Sequence, residues 1–150
     1  MAIRDEMSVL ARHEGEWTGY YLHVDVEGKV LDRHEAQLSC TFPEGGEFEY
    51  LQINRYRWDD GREEVIHFPA HLRDGELVFD TERMLGHARE IDDRTIVLTW
   101  SYRWAPETYL YEMIQISADN GHRARTWHWF EGDRCVKRTL INEHRLGPRS

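Results

Sequence analysis

A chain of 150 residues is long enough to bury one core, and a hydrophobic content of 40% argues against disorder. The 19 Lys and Arg against 28 Asp and Glu leave a net charge of −9. That charge repels phosphate backbones and anionic bilayers, so neither nucleic acid nor a membrane is an expected partner.

The first dozen residues predict a short helix, with Ile3, Met7 and Leu10 forming one apolar stripe and Gly15 ending it. From Glu16 the hydrophobic period changes to two, and turn signals follow at short intervals. Predicted strands cover 17–26, 29–42, 48–58, 64–72, 76–81, 86–91, 95–104, 109–117, 122–131 and 134–144. Asp74-Gly75, Asn120-Gly121 and Gly132-Asp133 suit tight hairpin turns, and Ala105-Pro106 reads as a break. A hairpin meander of this length removes its exposed edges by closing. The expected fold is therefore mainly β: one antiparallel up-and-down barrel of eight to ten strands. The whole chain, 1–150, is read as one domain, with a helix over 1–14, a barrel over 16–146 and a frayed tail over 147–150. No apolar leader opens the chain, so a cytoplasmic location is expected, with Cys40 and Cys135 as free thiols.

Gly15-Glu16-Trp17 stands at the junction of helix and first strand. A short helix, then Gly-x-Trp, then a β meander resembles the lipocalin and calycin superfamily. The runs Gly15-Glu16-Trp17-Thr18-Gly19-Tyr20-Tyr21, Gln52-Ile53-Asn54-Arg55-Tyr56 and Thr139-Leu140-Ile141-Asn142-Glu143 resemble an uncharacterised group of bacterial lipocalin-like proteins. The resemblance implies that Trp17 lies at the closed end of the barrel under a basic residue of the last strand. Arg145 is the first candidate and Arg138 the second.

Alternation decides which side chains face inward. Either Trp17, Gly19, Tyr21 and His23 point in, or Thr18, Tyr20, Leu22 and Val24 do; both sets are fairly apolar, so a second molecule covering the outer face, as in a homodimer, is one option. Between 95 and 131 the candidate pocket residues are Trp100, Tyr102, Tyr111, Met113 and His128, an apolar set with a few polar tips. Arg125 and Trp127 are the alternative inward set on their strand. Tyr21 joins the candidates, and Arg55 and Arg125 could hold a carboxylate by paired bonds. His67, His71 and His87 could approach one another, but their spacing is not that of a metal motif, so no metal and no cofactor are expected.

Two functions fit. The first is binding of a small apolar or amphipathic molecule in the barrel cavity. The second is cofactor-independent catalysis in the same cavity, with His128, Glu112 and Tyr102 as candidate catalytic groups. The resemblance implies this rival, because calycin-like barrels host isomerases, cyclases and pigment-attaching lyases.

Overall fold

Ten strands close into one antiparallel barrel in the computed structural model, which describes residues 2–147. They are β1 (Gly15–Asp25), β2 (Val30–Thr41), β3 (Tyr50–Arg57), β4 (Glu63–Arg73), β5 (Glu76–Asp80), β6 (Met84–Glu90), β7 (Thr95–Tyr102), β8 (Ala105–Ile116), β9 (His122–Glu131) and β10 (Arg134–Leu146). Each pairs with its neighbour in sequence, and β1 pairs with β10 from Glu16↔Leu146 to Asp25↔Lys137. The first and last strands are thus hydrogen-bonded along their length, which closes the sheet. Among the described residues no helix is long and apolar enough to cross a membrane.

One boundary differs from the sequence reading at a proline. Pro106 lies within β8, where the ladder with β7 jumps from Tyr102↔Ala105 to Ser101↔Tyr109. The irregularity absorbs the residue that cannot donate. Pro69 lies within β4, on a stretch paired with β3 alone, since β4 meets β5 only from His71 to Arg73.

The expected single helix is two short turns, α1 (Ala2–Glu6) and α2 (Ser8–Ala11), divided by Met7 at φ −127° and ψ 69°. Ile3, Met7 and Leu10 are all buried. The segment lies across one end of the barrel. Leu10 N–H donates to Glu90 Oε2 at 2.7 Å, and the Arg12 guanidinium donates to Asp93 O, Ser117 O and Asn120 Oδ1. Gly15, at φ +130°, lets the chain turn from this plug into β1.

Trp17 is fully buried beneath the plug, and its indole N–H donates to His13 O at 2.9 Å. The Arg145 guanidinium stands 4.3 Å from the indole ring centre, and Arg123 stands 5.0 Å from it. Arg145 also donates to backbone carbonyls of Arg12, Glu14 and Asn120. One side chain therefore ties plug, loop and floor together. Arg138, the second candidate, sits opposite His128, toward the other end of the barrel. The remaining tail, 148–150, lies outside the described residues, as does Met1.

Candidate functional site

The end opposite the plug is open, and its inner wall comes mainly from alternate residues of β1, β4, β7 and β9. On β1 the inward set is Trp17, Gly19, Tyr21 and His23. On β7 it is Ile96, Leu98, Trp100 and Tyr102. Gly86 on β6 makes room for Trp100: a Cβ there would lie 2.3 Å from Trp100 Cβ.

Behind the mouth is a chamber of ≈ 230 Å³. Aromatic rings dominate it. Trp100 meets Tyr102 edge-on at 4.9 Å and Trp129 at 5.7 Å, while Trp129 meets Trp127 at 5.6 Å. Across from them Tyr21 packs on Tyr56 at 5.0 Å, and His34 packs on Trp58 at 4.4 Å. The wall shared by Phe68, Trp100 and Trp127 separates this chamber from a deeper cavity of ≈ 50 Å³, room for a few waters.

The deeper cavity is floored by buried charge. Glu143 joins two guanidiniums, Arg123 Nε at 2.6 Å and Arg125 Nη1 at 3.1 Å, and Glu112 meets Arg125 Nε at 2.7 Å. All four side chains are at most 3% exposed. Burial disfavours charge on both arginines, but the facing carboxylates outweigh it and raise both pKa values. The same arginines hold the Glu143 pKa below the ordinary carboxylate value despite its burial. Arg125 Nη1 also donates to Tyr21 Oη at 2.8 Å. From there a polar ladder runs along the inward face of β3: Asn54 donates to Tyr21 and Tyr56, Gln52 to Asn54, and Tyr50 to Gln52.

These placements correct part of the sequence reading. Tyr21, Trp100, Tyr102 and Arg125 face the interior; the first three line the chamber, and Arg125 lines the deeper cavity. Tyr111 and Met113 are 55% and 50% exposed on the outer face of β8, where Leu110, Glu112, Ile114 and Ile116 turn inward instead. His128 points outward from β9 and is exposed, because Arg123, Arg125, Trp127 and Trp129 take the inner face. Arg55 is exposed on the outside of β3 and cannot reach a ligand in the barrel. Glu112 is interior but engaged by Arg125. His67 and His87 are exposed, and His71 bonds to Glu49 at 3.2 Å on the outer side.

The interior imidazoles were not singled out by sequence reasoning. His23, Asp32 and His34 bring potential ligand atoms within 4.8 Å of one another. Each member of the trio makes a hydrogen bond, while His34 Nε2 is buried without a partner among the described residues. His34 Nδ1 lies 2.7 Å from Asp32 Oδ2, Asp32 accepts from Trp58 Nε1, and His23 Nδ1 lies 2.7 Å from Thr139 Oγ1. Burial, then Lys137 and His34, lower the His23 pKa to about 4. His13, under the plug, is lowered well below 6.5 by burial and by Arg123 and Arg125.

A pH prediction follows. Below about pH 6.5 the unfolded chain takes up protons that folded His13 and His23 refuse, so stability is full above that value and falls on acidification. The contribution of His23 is exhausted near pH 4, and Glu143 extends the loss below about pH 4.5. Urea midpoints are expected to drop steadily between about pH 7.5 and 4.5; a midpoint that holds or rises contradicts this assignment.

No protein-family model matches the chain, and no curated protein does. Solved structures do match. An S-type phycobiliprotein lyase, CPES from Guillardia theta, superimposes with a TM-score of 0.70 at 16% identity over 95% of this chain and 93% of its own. A protein of unknown function from the DUF3598 family of Nostoc punctiforme PCC 73102 gives 0.68 at 16% identity over 91% of this chain. This chain spans about half of that protein, 49%. A redesigned β-barrel, mFAP1, bound to DFHBI gives 0.50 at 12% identity over 91% of this chain and 98% of its own. The chain thus has lipocalin-like barrels as structural neighbours, and at these identities the likeness concerns the fold.

Proposed function

We propose that this protein binds a small apolar or amphipathic molecule in the chamber behind the barrel mouth. The observation that carries this reading is the ≈ 230 Å³ chamber itself, walled by rings from β1, β2, β3, β7 and β9. A core that served only stability would interlock these rings, because empty volume forfeits dispersion contacts. Concave, mostly aromatic space with a few polar groups is what small-molecule sites are made of. Tyr21, Trp100 and Tyr102, which line the chamber, are the binding residues we propose, with Arg125 behind them holding Tyr21 from the deeper cavity. The mFAP1 barrel, with its bound DFHBI, supplies a precedent for a small molecule on this architecture.

A cofactor-independent isomerase, cyclase or lyase would use the same space. With His128 outside the barrel, that reading would rest on Glu112 and Tyr102. The Glu112 carboxylate is already held by Arg125 at 2.7 Å, which favours binding over acid–base chemistry.

The neutral dye Nile red is expected to bind, brighten and quench the tryptophans. Tyr102 stacks between Trp104 at 4.6 Å and Trp129 at 6.3 Å and is only partly buried. Tyr102→Ala is therefore expected to weaken dye binding about tenfold, near 1.4 kcal/mol, while leaving the thermal midpoint almost unchanged. Dye binding unaffected by Tyr102→Ala, or absent from the wild type, would remove the chamber from consideration.

A further inference from the structure

Buried polar atoms are normally paired, so those left unpaired mark where something else bonds. Three such atoms belong to residues that line the deeper cavity. Trp127 Nε1, Arg123 Nη2 and His13 Nε2 are buried and find no partner among the described residues. Each belongs to a side chain more than nine-tenths buried.

All three are donors. The indole nitrogen can only donate, and so can a guanidinium nitrogen. His13 is settled by its neighbour: Arg123 Nη1 stands 3.1 Å from His13 Nδ1, and because the guanidinium donates, Nδ1 must accept. The proton of the neutral imidazole is then on Nε2. Trp127 also lines the outer chamber, so its indole is part of the wall between the two spaces.

Charge is already balanced at this depth. Arg123 and Arg125 face Glu143 and Glu112, two cations against two anions. A carboxylate brought in from solvent would leave one uncompensated buried negative charge, which is costly at this degree of burial. A neutral acceptor at the wall can take up the Trp127 N–H, the one of the three whose residue also lines the chamber, and leave the balance intact.

We infer that the ligand presents an uncharged hydrogen-bond acceptor, such as a ketone, amide or ester carbonyl, to the inner end of the chamber, with its apolar body among the rings nearer the mouth. This rests on the binding reading above and narrows it to a ligand class. Free carboxylic acids are discriminated against, although two arginines line the cavity.

Three probes sharing one ring system test it. They are 6-propionyl-2-(dimethylamino)naphthalene, a neutral ketone; 6-(dimethylamino)-2-naphthoate, an anion; and 2-(dimethylamino)naphthalene, which lacks the acceptor. The ketone is expected to bind at least about tenfold more tightly than either of the others, the factor that one net hydrogen bond of about 1.4 kcal/mol supplies. Trp127→Phe keeps a ring and removes the N–H. It is expected to cut ketone affinity several-fold and to leave the acceptor-free probe unchanged. In the wild type the C=O stretch of bound ketone, read by infrared difference, is expected at lower frequency than in an apolar solvent. Tighter binding of the naphthoate would overturn the neutral-acceptor assignment and make this an anion site. Equal affinity for all three, with an unshifted C=O stretch, would overturn it while the binding reading stands. Failure of all three to bind would overturn both.

Discussion

Glu143→Gln is expected to destabilise the fold by about 3–5 kcal/mol, the cost of breaking a buried ion pair from one side. Glu143 is fully buried and accepts from both Arg123 and Arg125. The amide keeps one acceptor oxygen but turns an NH₂ group toward a guanidinium, and two buried cations then face Glu112 alone. Charge, rather than shape, is what the substitution changes. Removing both partners tests this: the double variant Arg123→Met, Glu143→Met restores neutrality and is expected to be more stable than Glu143→Gln. Urea unfolding of the three proteins decides it. A loss under about 1 kcal/mol for Glu143→Gln would mean that the network is not ionised as its geometry implies.

Trp17→Ala is expected to cost a similar amount, about 3–5 kcal/mol, for a different reason. Trp17 is the largest fully buried side chain, and it is held by an indole hydrogen bond to His13 O and by Arg145 and Arg123 near its ring. Truncation opens a cavity beneath the plug and leaves His13 O and the Arg145 guanidinium with less to hold. The thermal midpoint should fall by several degrees, and residues 3–12 should become sensitive to protease before the barrel does. An unchanged midpoint would show that the plug, not the indole, seals this end.

The barrel and its strand count were legible because each hairpin carries a local signal. Asp74-Gly75 and Asn120-Gly121 place positive-φ residues where the chain reverses, and both Asp74 and Asn120 do adopt positive φ. The floor was legible too, through the position of Trp17 just after the plug. Side-chain parity was less so. On β8 the residues of one set, Tyr109, Tyr111 and Met113, look as suitable for a cavity wall as Leu110, Glu112 and Ile114. The choice depends on register with β7, which the irregularity at Ala105–Tyr109 offsets. Since a one-residue slip exchanges the two faces, an irregularity at a proline decides the whole strand.

On β9 the obstacle was charge. Arg123 and Arg125 alternate with Trp127 and Trp129, and arginine is rarely buried without partners. The partners are cross-strand neighbours: Glu143 lies directly opposite Arg123, and Glu112 lies opposite Trp127, one step along the face from Arg125. Arginine and tryptophan at one parity, with a glutamate on each flanking strand, was the available signal. It becomes readable only once both registers are known.

The pairing of β1 with β10 has a consequence for how the molecule comes into being. These strands are far apart in the sequence, so a growing polypeptide holds β1 without one of its two partners until β10 has left the ribosome. Contacts this distant in sequence are slow to form, and a waiting strand with free N–H and C=O groups is open to intermolecular pairing. Gly19 marks how closely the two strands approach, because a Cβ there would lie 2.1 Å from Asn142 O of β10. Truncation before β10 would therefore expose both β1 and β9 as long edges. Shortened chains should accumulate as aggregates rather than as smaller barrels, and the yield of soluble protein should depend on translation reaching the C-terminal strand intact.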